Sequence, residues 1–222
     1  LTGTPEDVSS PTAAFYFDLA SPLAYLAAER VLHELPGPAE WRPVLAGELR
    51  AAESFDAFRC REEQDVFREE LARRARSFGL QPLRWPEPFP FDSAMAMRVA
   101  TYAKSIGRAV PFAQAAFRQA FAGGRSLADR DSVLIAAAAC EMHPAAVLRA
   151  ADLRSVAEQL AEATAEAAAA GVLDVPAILV ADPDPGSERR DPGAGQRVFL
   201  GERAVEQAAT HMRSLPAGAG SS

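Results

Sequence analysis

The stretch Phe15-Tyr16-Phe17-Asp18-Leu19-Ala20-Ser21-Pro22-Leu23-Ala24-Tyr25-Leu26 constrains the fold of this chain more than any other. Its aromatic run reads as a buried strand and Asp18 to Ala20 as the exit loop. Ser21-Pro22 then reads as a helix start, with serine at the N-cap and proline at the first helical position. Such a helix end exposes unpaired backbone N–H groups and the positive end of the helix dipole. It can therefore hold a thiolate or another anion beside the Ser21 hydroxyl. Taken alone, a Ser-Pro pair is more often only a cap.

The rest of the chain extends that unit. The first strand runs from Ala13 to Phe17, and the helix from Pro22 to Leu35 stops before Pro36-Gly37-Pro38. Glu40 to Leu45 reads as a second strand returning to the same sheet, so the pair is parallel. From Phe55 to Gly171 the apolar period is helical, which predicts five or six helices and no strand. Their expected spans are Phe58–Phe78, Ser93–Ile106, Pro111–Ala122, Ser132–Met142, Pro144–Ala151 and Asp152–Ala170. Asp92 or Ser93, Asp131 and Asp152 are the expected caps. After Gly171, Val172 to Val180 reads as a loop, a proline and an apolar strand, with Pro176 at the entry because proline is excluded from a central strand. Asp182 to Gln196 is a long loop, Arg197 to Leu200 the partner strand, and Glu202 to Leu215 the last helix.

The order β-α-β, helical insertion, β-β-α is that of the thioredoxin fold. Phe-Asp-x-x-Ser-Pro-x-x-Tyr-Leu at residues 17–26 resembles the glutathione-dependent branch of the DsbA-like thioredoxin superfamily. That branch contains the 2-hydroxychromene-2-carboxylate isomerases and kappa-class glutathione transferases. Arg42-Pro43-Val44-Leu45, Phe89-Pro90-Phe91-Asp92-Ser93 and Gly171-Val172-Leu173-Asp174-Val175-Pro176 resemble further stretches of the same family. The expected class is therefore α/β. Residues 13–54 and 171–215 would form a thioredoxin-like domain, residues 55–170 an inserted helical domain, and residues 1–12 and 216–222 flexible tails.

The resemblance also implies a site. Ser21 stands where disulfide oxidoreductases carry the first cysteine of Cys-x-x-Cys, and is the expected catalytic residue. Pro176 is expected to follow a cis peptide, with the Val175 backbone clamping the bound thiol. Glu202 is expected to meet the thiol's amine. Asp18, Pro22, Trp85 and Asp92 are the expected substrate-binding residues. The chain departs from the family at Leu23-Ala24, where Tyr-Ser is usual, and at Glu62-Glu63, which stand where an Asn-Lys is usual; Arg59 or Arg61 would have to substitute for that lysine. It departs again at Leu200-Gly201-Glu202-Arg203, where Trp-Gly-Gln-Asp is usual. The implied cofactor is glutathione or another low-molecular-weight thiol. The implied activity is thiol-dependent isomerisation or transfer on a small aromatic or unsaturated carboxylate. A binding or scaffold protein of the DsbA family that has lost its chemistry is the alternative.

Composition excludes several other classes. The 222 residues are 49% hydrophobic, enough for a substantial core. The net charge of −7, with no basic block, argues against a nucleic-acid partner. Lys104 is the single lysine, so cationic recognition falls to arginine. Cys60 and Cys140 stand far apart and outside any Cys-x-x-Cys, which makes a dithiol redox cycle a poor reading. His33, His143 and His211 lack metal-ligand spacing, and no metal is expected. The Arg73-Arg74-Ala75-Arg76 run reads as a solvated helix face. No signal peptide or membrane-spanning run is seen, so the expected setting is cytoplasmic. A small-molecule substrate is the expected partner, and a homodimer is left as an open alternative to a single chain.

Overall fold

The computed structural model describes residues 13–49, 61–181 and 195–215. The expected tails, Arg59 and Cys60, and nearly all of the Asp182–Gln196 loop lie outside the described residues. Strands β1 (Ala13–Phe17), β2 (Ala39–Pro43), β3 (Ala177–Ala181) and β4 (Gln196–Leu200) form one mixed sheet in the order β2-β1-β3-β4. The β1/β2 pair is parallel, because helix α1 (Pro22–Glu34) carries the chain back across the sheet. The β1/β3 and β3/β4 pairs are antiparallel.

Strand β1 is central, and all five of its residues are buried. A strand covered on both faces needs no polar alternation, which explains the unbroken run Ala-Ala-Phe-Tyr-Phe. On one face Phe15 and Phe17 meet Trp41 edge-on, with centroids 4.9 and 5.8 Å apart. Phe17 also meets Phe117 at 5.8 Å. On the other face Ala14 and Tyr16 join Val175, Ala177 and Ala167 in a second, smaller cluster.

Strand β2 stops at Pro43, two residues before the expected end. The Val44 N–H still donates to the Phe17 carbonyl at 3.0 Å, but the Leu45 N–H turns away to Thr164 Oγ1 at 3.0 Å. A short 3₁₀ turn, Ala46–Glu48, follows.

Six helices fill the described part of the span between β2 and β3: α2 (Arg61–Ser77), α3 (Ala94–Ser105), α4 (Ala109–Phe121), α5 (Arg130–Ala138), α6 (Pro144–Asp152) and α7 (Arg154–Ala169). A last helix, α8 (Ala204–Ser214), follows β4. Helix α4 packs against α1, and both α3 and α4 pack against β2, whereas α7 brings Ala167 to the second face of the sheet. The sheet is thus covered on one side by α1, α4 and α8 and on the other by α7.

Three helix starts differ from the sequence reading. Asp129 caps α5, its carboxylate accepting the Asp131 and Ser132 N–H groups at 3.3 Å, so Asp131 lies inside the first turn. Asp152 ends α6 instead of opening α7. The two helices share a single extended residue, Leu153, whose N–H bonds back to Ala150 and which leaves no room for a side-chain cap. Helix α4 begins two residues before Pro111, which costs nothing because first-turn N–H groups have no intrahelical partner.

The arginine run also differs. Ala75 is fully buried and Arg74 is turned inward, pairing with Glu70 at 2.7 Å and with Glu202 in the turn that follows β4. At 24% exposure, Arg74 is a tie between two parts of the fold and not a solvated side chain.

Candidate active site

Three short segments build the site, and the first is the turn from β1 into α1. The Ser21 N–H donates to the Asp18 carbonyl at 3.0 Å, closing a tight turn. Ser21 is then extended (φ −87°, ψ 114°), and its Oγ accepts the Ala24 N–H at 3.1 Å. Pro22 occupies the first helical position, buried against the core. The hydroxyl is half-buried, and its own proton remains available to a ligand.

The second segment is the entry to β3. The Val175–Pro176 peptide is cis, as the family resemblance implied. Tyr16 pairs with Ala177, so the next step along the ladder sets Phe17 opposite Pro176 and Asp18 opposite Val175. Neighbouring strands lie about 4.8 Å apart. The cap at Ser21 and the proline-led strand therefore share one end of the sheet. The Val175 N–H is not idle; it donates to Asp174 Oδ1 at 2.6 Å, which an incoming strand-like ligand would have to displace.

The third segment is the turn after β4. The Gly201 N–H donates to the Pro176 carbonyl at 2.8 Å, and Gly201 has φ +73°, a conformation that glycine adopts without steric cost. The 3₁₀ turn Gly201–Arg203 packs against α1. Glu202, expected to meet an amine, is ion-paired with Arg74. Arg203 reaches Glu206 at 3.7 Å.

Asp18 is the hub of the first segment. It is 4% exposed, with Oδ1 accepting the Ala20 N–H at 2.9 Å and Oδ2 the Ala46 N–H at 3.0 Å. The Ser93 hydroxyl also donates to it. These donors come from the β1 exit, the turn after β2 and the start of α3, so one carboxylate joins sheet and insertion. The Leu19 N–H meets Met97 Sδ at 3.2 Å, which closes α3 on the same loop. Burial pushes the Asp18 carboxyl up; the three donors oppose that shift and nearby Asp92 adds to it.

Relative to the unfolded chain, the fold therefore favours the protonated form. The stability that Asp18 supplies is full below the ordinary carboxylate range and declines as pH rises through its raised pKa. Asp18→Asn should flatten this part of the stability profile, checked by urea unfolding between about pH 4 and pH 7. An unchanged slope would mean that Asp18 is not strained by burial.

Two other expected residues sit differently. Asp92 is exposed and spends Oδ1 on the Ala94 N–H at 2.8 Å, doing the capping while Ser93 turns to Asp18. Trp85 is half-buried and packs edge-on against Phe89 at 4.9 Å and Phe121 at 6.3 Å, with the Arg68 guanidinium 5.0 Å from its ring centroid. Ser93 and Met97 enter the site unforeseen. Ser93 was legible only as a cap, and nothing in the local sequence marks Met97.

Two surface cavities lie elsewhere. One, of about 640 Å³, is bordered by Tyr25, Glu29 and Arg118; the other, of about 320 Å³, by Arg42, Lys104 and Glu166. Neither includes Ser21 or Pro176. Among the described residues, no group of three or more His, Cys, Asp or Glu side chains could hold a metal ion, and no helix is long and apolar enough to cross a membrane.

A four-stranded mixed sheet, a capped helix at the end of its central strand and a cis-proline strand beside it define a thioredoxin-like protein with an inserted helical region. The chain belongs to the DSBA-like thioredoxin domain family, which it matches over residues 12–213. Solved structures with the same fold include a 2-hydroxychromene-2-carboxylate isomerase (TM-score 0.70, 17% identity, covering 90% of this chain and 94% of that one). A probable DsbA oxidoreductase from Streptomyces coelicolor superposes with TM-score 0.72 at 19% identity, covering 96% and 94%. The cytosolic disulfide reductase DsbM from Pseudomonas aeruginosa gives 0.59 at 12% identity, covering 90% and 95%. No curated protein sequence matches the chain.

Proposed function

We propose that this protein is a thiol-dependent isomerase or transferase acting on a small aromatic or unsaturated carboxylate, with glutathione or a similar low-molecular-weight thiol as cofactor. The observation that carries the reading is Ser21 at the N-cap of α1, at the same end of the sheet as the cis Val175–Pro176 entry to β3. A bound thiol with its sulfur at the cap would meet the Ser21 O–H and the positive end of the helix. Both stabilise a thiolate and draw the thiol pKa below about 8.5. The thiolate then adds to an electron-poor carbon and forms a C–S bond. The π electrons move onto the activating group as an enolate; in isomerisation the C–S bond breaks again after rotation or ring opening and thiolate is regenerated, whereas in transfer the enolate takes a proton from water and the conjugate is released.

A cytoplasmic setting and a homodimer belong to the same proposal. Disulfide exchange by an internal dithiol is not part of it, because residues 21–24 read Ser-Pro-Leu-Ala. The non-catalytic reading draws on one observation, the Arg74–Glu202 pair, which occupies the carboxylate expected to take an amine.

Titrating low-molecular-weight thiols against the full chain while following its melting temperature separates the two readings. A ligand that binds only the folded form at 100 times its Kd adds about 2.7 kcal/mol, or roughly 5–10 °C for a chain of this size. No shift with any thiol at millimolar concentration favours the scaffold.

A further inference from the structure

The larger surface cavity, of about 640 Å³, is walled by α1, α4, α5 and the chain just after α2. Its size falls within the range of small-molecule sites, about 300–1,000 Å³. Tyr25 lines it from α1 and is only 2% exposed. The Tyr25 ring is stacked on Phe121 at 5.7 Å and tilted against Phe117 at 6.2 Å, so it cannot swing to carry its hydroxyl elsewhere. That hydroxyl makes no hydrogen bond to any described residue and faces the cavity. Burial pushes the phenol pKa up to about 12, so the group keeps its proton and remains a donor. A buried donor without an acceptor is costly, and an acceptor brought into the cavity removes that cost.

The charges at the cavity are already matched. Among the described residues, Glu29 and Arg118 are the only charged side chains on its wall. They hold each other through two parallel bonds, Nε to Oε1 at 2.6 Å and Nη2 to Oε2 at 2.7 Å. A charged ligand would give up hydration and find no unmatched opposite charge in return. The rest of the wall is amide or apolar. Ala115 of α4 and Ala136 of α5 leave a slot without bulky side chains, edged by Leu80 and by Ile135, which is 47% exposed. We propose that this cavity binds a small uncharged molecule with a flat apolar body and a carbonyl oxygen that accepts the Tyr25 O–H. The cavity includes neither Ser21 nor Pro176, and the proposal does not depend on the thiol reading.

Three matched probes test it on the full chain, followed by backbone-amide NMR: 2-acetonaphthone, 2-ethylnaphthalene, which lacks the acceptor, and 2-naphthoate, which adds a charge. The ketone should shift the Gly79, Ala115 and Ala136 amide signals and bind about tenfold tighter than either of the others, the worth of one hydrogen bond. Tyr25→Phe keeps the ring packing and should cancel the ketone's advantage while leaving the hydrocarbon's affinity unchanged. Ala115→Leu, which fills the slot, should weaken both. Equal binding of ketone and hydrocarbon to the parent, naphthoate binding as tightly as the ketone, or an advantage that survives Tyr25→Phe overturns the proposal. So do shifts confined to other residues, affinities untouched by Ala115→Leu, and the absence of binding by all three, which leaves the cavity to water. The comparison of probes on the parent protein decides the matter even where Tyr25→Phe fails to fold.

Discussion

Ser21→Ala should reduce thiol-dependent turnover by about 10²–10³-fold, the loss seen when one preorganised donor is removed from a developing negative charge. In the proposed chemistry the charge is on sulfur, and Ser21 holds the only side-chain hydroxyl of the β1–α1 turn. Alanine deletes the O–H while leaving the Pro22 start and the Asp18 carbonyl bond to the residue 21 N–H untouched. The fold should survive. The Ala24 N–H loses its acceptor, a capping loss of about 1 kcal/mol, or roughly 2–4 °C in melting temperature. The two effects are read separately, by turnover with saturating thiol and by thermal unfolding. Turnover close to the parent's, with the small melting shift present, would remove Ser21 from the chemistry.

Phe117→Ala should be the most damaging single change to stability, at about 3–5 kcal/mol. Phe117 is fully buried on α4, where it meets both Phe17 of β1 and Tyr25 of α1, at 5.8 and 6.2 Å between centroids. Truncation removes the apolar transfer term and opens a cavity where the sheet, the first helix and the insertion come together. These neighbours are held by their own packing, Tyr25 on Phe121 and Phe17 on Trp41, so the void cannot collapse cheaply. Because Phe17 and Tyr25 flank the Ser21 turn, the variant should also lose thiol affinity. Urea unfolding measures the first effect and calorimetry the second. A loss below about 1.5 kcal/mol would show that insertion and sheet are packed independently at this point.

Much of the frame was legible along the chain because it depends on local chemistry. The aromatic run needs two covered faces, Ser21-Pro22 starts a helix, Gly171 stops one, and a proline at residue 176 cannot lie inside a central strand. What failed were choices between neighbours of equal propensity. Asp129 and Asp131 cap equally well, and only the direction of entry into α5 decided for Asp129. Asp152 has a capping side chain but no loop in which to use it. The arginine run reads as solvated because four adjacent residues carry three charges. One of those charges found Glu202, 128 positions away along the chain but adjacent in space.

From residue order alone came the class of fold, the cap at Ser21 and the proline at the strand entry, each set by propensities that act over a few residues. Tertiary structure alone decided that Asp18 is a buried hub with three donors, that Met97 closes on Leu19, and that Arg74 pairs with Glu202. Pairings of this kind join segments that no local pattern relates. They are fixed by which side chains the packed helices bring within reach, where leaving a buried carboxylate or N–H without a partner costs more than the entropy of ordering it.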